Sequence, residues 1–159
     1  MKKIKTIFST MLLCVSLMAA FTSCSDDDDN DAAAPPAAKS IEGTYTGDMS
    51  CSVMGQESTF ENMTFTLTAI DDATVKITIS EFGNPPMKVS SISIDGVKVS
   101  GADGNYTLAA TDFKGETSGK AYSGTAQGSF ANNQLTIKFN LQYGAMPMPM
   151  ICSFTAPKK

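Results

Sequence analysis

Residues 135–141 read LTIKFNL, a stretch in which every second position is apolar and the positions between are polar. This period of two is typical of an antiparallel strand with one face in a core and the other in water. Residues 63–69 (MTFTLTA) and 75–79 (VKITI) show the same alternation. Because no stretch of the domain has the period of an amphipathic helix, the sequence predicts an all-β domain.

Turn-forming residues divide the domain into eight such segments. The predicted strands are 43–53, 57–70, 73–80, 87–100, 105–112, 120–130, 134–143 and 148–156. Short connections between successive strands predict an antiparallel up-and-down meander. Eight strands of this kind can close into a small barrel, whose interior is either filled by side chains or holds one small ligand.

Asp95-Gly96 lies inside the fourth segment and allows two interpretations. It could form a two-residue hairpin turn. The apolar positions, however, change parity across it, from Ile92 and Ile94 to Val97 and Val99. One inserted residue produces this change, so we predict a β-bulge.

The residues before Cys24 have the features of a bacterial lipoprotein signal. Lysines at positions 2, 3 and 5 precede a mostly apolar run over 7–21, which is shorter than the ~20 apolar residues of a membrane-spanning helix. We therefore predict a signal peptide over 1–23 and lipid attachment at Cys24. The alternative is an ordinary secretory signal with an incidental cysteine.

Residues 24–39 continue with an acidic run and then an Ala/Pro stretch, and they predict an extended tether. Cys24-Ser25 followed by aspartates resembles the surface-export signal of lipoproteins from Gram-negative gut anaerobes. The expected location is the outer membrane, with a lipid anchor as the contact with the membrane and the domain exposed at the cell surface. The domain itself is expected to span 40–159.

Composition argues against several classes of function. The chain has a net charge of −4 and no arginine, which is unfavourable for nucleic-acid binding. It has no histidine, so the usual serine and cysteine nucleophile systems and the commonest zinc ligand are missing. Met146, Met148 and Met150 suggest Cu(I) ligands, but alternating methionines are more typical of a core strand. We expect no metal, no cofactor and no enzymatic activity; an enzyme would need an unfamiliar Asp, Glu or Lys site.

Three stretches carry a resemblance to a known family. They are residues 43–47 (GTYTG), residues 81–94 with EFG followed by VSSISI, and residues 128–137 with GSF followed by LTI. Together they resemble the calycin-like β-barrel domain of lipoproteins from Gram-negative gut anaerobes, and the resemblance covers essentially all of 40–156. It implies a lipocalin-like barrel, which agrees with the eight predicted strands, and it implies no established activity.

Cys51 and Cys152 lie on the first and last predicted strands, which are neighbours in a closed meander. Both share the parity of apolar neighbours and are expected to face inward. Exported proteins commonly form disulfides, so we predict a bond between them. The alternative is a pair of buried free thiols.

Aromatic residues and methionines of inward parity are the candidate contacts for a ligand inside the barrel. They are Tyr45, Phe65, Tyr106, Tyr122, Phe139, Met148 and Met150. Such walls suit a small apolar or glycan-derived ligand, and we predict a non-catalytic ligand-binding module. The same residues suit a filled core, in which case the protein would be a structural or interaction accessory that binds a surface protein partner through loops such as 81–88 and 143–148.

Overall fold

The computed structural model describes residues 35–159. The predicted signal peptide over 1–23, lipid attachment at Cys24 and most of the tether lie outside the described residues. The described chain contains one short helix, α1, followed by eight strands. Their bounds are α1 Ala37–Ile41, β1 Gly43–Val53, β2 Gln56–Asp71, β3 Thr74–Ile79, β4 Ile92–Ala102, β5 Asn105–Thr117, β6 Lys120–Ala131, β7 Gln134–Tyr143 and β8 Met150–Pro157.

The eight strands form a closed antiparallel barrel in which each strand pairs with the next in sequence. The ring is closed by β1 and β8, which pair in the register Asp48 with Thr155 to Ser52 with Ile151. The prediction of an all-β, eight-stranded, up-and-down calycin-like barrel is confirmed. Closure leaves no long free edge at the first and last strands, which would otherwise be templates for aggregation.

The predicted bulge in β4 is confirmed by the pairing with β3. Ile94 is opposite Ile77 and Val97 is opposite Val75, so Asp95 and Gly96 together face one residue of β3. Gly96 has φ 76°, a left-handed conformation that glycine adopts without steric cost. The inserted residue returns Val97 and Val99 to the buried face after Ile92 and Ile94.

β4 begins at Ile92, five residues later than predicted. Residues 80–91 instead form a long connection in which a single bridge joins Phe82 and Val89. Pro85 and Pro86 form a turn in this segment, and residues 87–91 follow it without joining the ladder of β4. The last strand also begins later than predicted, because Pro147 and Pro149 precede a start at Met150 rather than at Met148.

Residues 37–39 are helical, whereas the sequence predicts an extended tether there. Burial explains the difference, because Ala38 and Ile41 are fully buried against the barrel. Three hydrogen bonds hold α1 in place. Ala38 N–H donates to Asp72 O over 3.1 Å, and Tyr45 Oη donates to Ile41 O over 2.7 Å. Lys158 Nζ, from the end of the chain, donates to Ser40 O over 2.7 Å. A short amphipathic turn was missed because one helical turn has too few residues to show a period.

Aromatic side chains fill the middle of the barrel. Phe65 of β2 stacks on Phe154 of β8 with ring centroids 3.8 Å apart, and Phe139 packs against Phe65 at 6.2 Å. Nearer to the end of the barrel where α1 lies, Phe130 contacts both Tyr45 and Tyr106. Among the described residues, the buried set contains no charged side chain. The interior is therefore a packed apolar core, stabilised by burial of apolar surface.

Tyr45 gives this core a measurable pH dependence. Burial raises the pKa of Tyr45 to about 12, whereas a tyrosine in an unfolded chain has a pKa of about 10. The folded protein holds the proton more tightly, so this stabilisation is complete below pH ~10 and is lost as the pH rises to about 12. We expect the free energy of unfolding to fall more steeply across this window in the wild type than in Tyr45→Phe.

The measurement is chemical denaturation at several pH values between neutrality and about pH 12. At neutral pH, Tyr45→Phe should be less stable by about 1 kcal/mol, because it loses the hydrogen bond to Ile41 O. Equal slopes for the two proteins above pH ~10 would contradict the assignment of the shifted phenol to Tyr45.

Candidate functional site

The two ends of the barrel differ in construction. At one end, which we call the closed end, α1 lies with the tight turns at 72–73, 103–104 and 132–133. At the other end, which we call the mouth, lie the turns at 54–55 and 118–119 and the long connections 80–91 and 144–149. Loops on a rigid barrel are where binding residues concentrate, so the mouth is the candidate site.

A groove of 680 Å³ runs across the mouth, and we call it the outer groove. Its walls come from three connections and the strand ends beside them, which the sequence separates but the meander brings to the same end. They supply Pro86, Met87, Lys88, Gly119, Lys120, Ala121, Tyr143, Gly144, Ala145, Met146 and Pro147. The walls are mainly apolar, with two ammonium groups and one phenol as the polar side-chain groups.

A second, deeper cavity of 340 Å³ lies beside it, and we call it the inner pocket. Phe60 and Phe82 form one wall, with ring centroids 5.2 Å apart in an edge-on arrangement. Met87 and Met146 line both the inner pocket and the outer groove. Since methionine side chains adapt to varied shapes, these two residues form a deformable boundary between the two spaces.

Tyr143 and Lys120 set the electrostatics of the outer groove. Lys120 Nζ lies 5.4 Å from the centroid of the Tyr143 ring, a cation–π distance. Tyr143 Oη accepts a hydrogen bond from Ser90 N–H over 3.3 Å. Hydrogen bonding with Ser90 lowers the pKa of Tyr143, and the positive charge of Lys120 acts in the same direction. The groove therefore favours negative charge.

Two further interactions shape the walls. Gln142 donates a side-chain hydrogen bond to Met146 O, which fixes the connection 144–149. Lys88 Nζ and Glu81 Oε1 form an ion pair over 2.9 Å within the connection 80–91. Within residues 35–159, no three His, Cys, Asp or Glu side chains come together in a group that could hold a metal ion.

The structure joins Cys51 of β1 to Cys152 of β8 in a disulfide. The two residues are directly opposite each other in the closing strand pair. Both are buried, and Cys51 lines the inner pocket. The bond thus fastens the seam of the barrel beside the candidate site.

The structure places the seven predicted interior ligand contacts in four different surroundings. Tyr45, Phe65, Tyr106 and Phe139 pack against other aromatic rings in the core. Tyr122 is also buried, and its hydroxyl is engaged by the backbone of Ser93, donating to the carbonyl over 3.2 Å. Only Met150 lines the inner pocket.

Met148 is the clear correction, because its side chain is 47% exposed and lies in the connection before β8. An inward side chain is expected at Met148 only if β8 begins at this residue. The flanking prolines, Pro147 and Pro149, delay the start of the strand to Met150. Lys120 was not predicted as a site residue. Phe82, Met87 and Tyr143 lie in the loops 81–88 and 143–148, which were predicted only as contacts for a partner protein. Both loops are rich in Pro, Gly and Met, whereas Lys120 follows the two-residue turn 118–119 and has no such signal.

Large apolar side chains are also exposed around the mouth. They are Met54, Met87, Met148 and Ile151, with exposures of 80%, 60%, 47% and 67%, and we call them the rim. Exposed apolar groups gathered at one end of a small domain are typical of a binding surface.

The described chain was compared with known proteins and solved structures to find what this barrel is similar to. No helix within residues 35–159 has the length and apolar character needed to cross a membrane. No curated protein matches the chain. A solved structure of a candidate outer membrane protein from Bacteroides fragilis is similar at 22% identity, with a TM-score of 0.68. The match covers 78% of this chain and 53% of that one, so the chain spans about half of that protein's length.

The model of the calycin-like beta-barrel domain family matches residues 41–156. This range extends from the end of α1 almost to the end of β8 and includes every strand that forms the barrel. The chain therefore belongs to the calycin-like β-barrel domain family.

Proposed function

We propose that this protein is a non-catalytic binding module that holds a small apolar or glycan-derived ligand at the mouth of its barrel. The observation that carries the proposal is a pair of neighbouring spaces with mainly apolar walls, the outer groove and the inner pocket, which share Met87 and Met146 and lie beside a filled core. Concave apolar sites with a few polar groups are typical of small-molecule binding. The ligand site thus moves from the barrel interior, as predicted from sequence, to its mouth.

The chemistry of the lining supports binding rather than catalysis. The outer groove presents Lys88, Lys120 and the Tyr143 phenol, and its lining includes no carboxylate or thiol. Acid–base or nucleophilic catalysis usually combines such groups in a hydrogen-bonded pair. Lys88 is instead engaged in an ion pair with Glu81.

We further propose that the protein is an outer-membrane lipoprotein, anchored through Cys24 and exposed at the cell surface. The signal-like residues before Cys24 and the acidic run after it support this location. The description of the Bacteroides fragilis structure as a candidate outer membrane protein agrees with it. α1, the first described element, lies at the closed end, and the mouth lies at the opposite end of the barrel.

Native mass spectrometry of the mature protein, released gently from its own membranes, tests the ligand. We expect an excess mass in the native sample that is absent after denaturation. Ala145→Trp should abolish the excess mass, because an indole at this exposed position of the groove wall would fill the groove. Ala102→Trp, at an exposed position beside the turn of the closed end, is the matched control and should retain it.

An excess mass that survives Ala145→Trp would show that a ligand binds elsewhere and would contradict the assignment to the mouth. A native mass equal to that of the chain alone would reject the small ligand. The second candidate function is a partner protein bound through the rim, and the exposure of Met54, Met87, Met148 and Ile151 is the observation that favours it. In that case the protein is an interaction accessory with a filled barrel.

A further inference from the structure

We propose that the mouth selects free amphiphiles that carry an anionic group on an apolar chain. The anionic group would lie at Lys120 in the outer groove, and the chain would extend past Met87 and Met146 toward the inner pocket. This inference rests on the proposed function, since it names the ligand class of that site.

Charge in the groove is opposite to charge on the chain as a whole. The chain has a net charge of −4, yet the charged residues that line the outer groove are two lysines. Lys88 is neutralised by Glu81 at 2.9 Å. Among residues 35–159, Lys120 has no carboxylate within salt-bridge distance. Lys120 is therefore the cation that a ligand can engage without breaking an existing ion pair.

The position of Lys120 is constrained on two sides. Its ammonium group lies over the Tyr143 ring, and its methylene stem runs beside Gly144. A bulkier residue than glycine at 144 would approach that stem. A held ammonium group loses less conformational freedom when it pairs with an anion, which favours binding.

The walls next to Lys120 are suited to an apolar chain. Ala121, Ala145 and Pro147 line the outer groove, and Met87 and Met146 continue into the inner pocket. Phe60 and Phe82 form the end of this path. A ligand with an anion at one end and an apolar chain at the other would match both the charge and the apolar surface, whereas an alcohol would match only the surface.

A free amphiphile is the occupant that we favour over a membrane lipid with an anionic headgroup. The chain enters the barrel at α1, and the mouth lies at the opposite end. A domain attached through its N-terminal segment thus presents the mouth to the medium more readily than to the membrane that holds it.

The test uses the full-length protein in nanodiscs of phosphatidylcholine, with empty nanodiscs as the blank. Octanoate, octan-1-ol and octylammonium are titrated by calorimetry. We expect octanoate to bind about fivefold more tightly than octan-1-ol, as for an exposed ion pair, and octylammonium to bind most weakly. In the series hexanoate, octanoate and decanoate, each added methylene should tighten binding about fourfold.

Lys120→Gln should remove the preference for octanoate over octan-1-ol, so that the two probes bind with similar affinities. Lys98→Gln, an exposed lysine of β4 toward the closed end, is the matched control and should keep the preference. Equal affinities for octanoate and octan-1-ol in the wild type, with both blocked by Ala145→Trp, would overturn anion selection but leave binding at the mouth intact.

Failure of all three probes to bind would overturn the inference, whereas an excess native mass that Ala145→Trp removes would still support the proposed function. Nanodiscs containing phosphatidylglycerol separate the two sources of anion. Unchanged octanoate affinity supports a free amphiphile. Competition by phosphatidylglycerol that depends on Lys120 would identify a membrane lipid as the occupant and overturn the choice of a free one.

Discussion

Replacing both Cys51 and Cys152 by alanine is expected to lower the free energy of unfolding by about 3–5 kcal/mol. The disulfide links positions that are 101 residues apart in sequence, so it restricts nearly the whole unfolded domain. In the chain-entropy account, closing a loop of about 100 residues contributes about 4.7 kcal/mol. Alanine is the appropriate replacement, because both sites are buried and a serine hydroxyl would need a hydrogen-bond partner there.

Urea denaturation of the oxidised wild type and of the double variant provides the comparison. The double variant also loses both sulfur atoms, so the reduced wild type is the control, because reduction breaks the disulfide and keeps both sulfurs. We expect the reduced wild type to lose most of the stability that the double variant loses. A loss below about 1 kcal/mol in both samples would mean that pairing of β1 with β8 fastens the barrel without help from the disulfide.

Phe65→Ala is expected to destabilise the fold by about 3–5 kcal/mol. Phe65 is fully buried and stacks on Phe154 with ring centroids 3.8 Å apart, while Phe139 covers it from another strand. Removing the ring leaves a cavity among rigid strands that cannot collapse to fill it. The aromatic pair adds about 1 kcal/mol beyond the buried area, and alanine loses that as well.

Phe60→Ala is the matched control, because Phe60 is only partly buried at the inner pocket and contacts one other ring. We expect a loss of about 1 kcal/mol there, since its surroundings are open and no closed cavity forms. Phe65→Leu should lie between the two. If Phe65→Ala lost no more stability than Phe60→Ala, the centre of the barrel would have to contain space, and the predicted ligand site in the interior would regain support.

The barrel could be predicted from the sequence because its signals are local. Alternation over 135–141 fixes which side chains face inward, and the change of parity at Asp95-Gly96 fixes the bulge, since a single inserted residue reverses every later side chain. The least accurate strand ends are the start of β4, predicted at 87 and found at Ile92, and the end of β5, predicted at 112 and found at Thr117. The apolar pattern continues before β4 although the ladder does not, and it stops before the ladder of β5 ends, because pattern alone does not report hydrogen bonding.

The candidate site could not be predicted in the same way. Met87 and Met146 come from two separate connections and Lys120 begins β6, and nothing in their local sequence says that they meet. The predicted interior contacts were correct in parity for residues such as Phe65 and Phe139. Parity gives the direction of a side chain but not whether facing rings touch or leave a gap, and here the rings touch.

Pairing of the first strand with the last also has a consequence for the order of folding. β1 is synthesised before β8, so Cys51 has to wait as a thiol until Cys152, the last cysteine of the chain, is also present. Contacts between such distant residues make folding slow, because the ends of a long loop must meet. Formation of the disulfide would therefore be a late event, and the rate at which the Cys51 thiol is lost would report the rate of barrel closure.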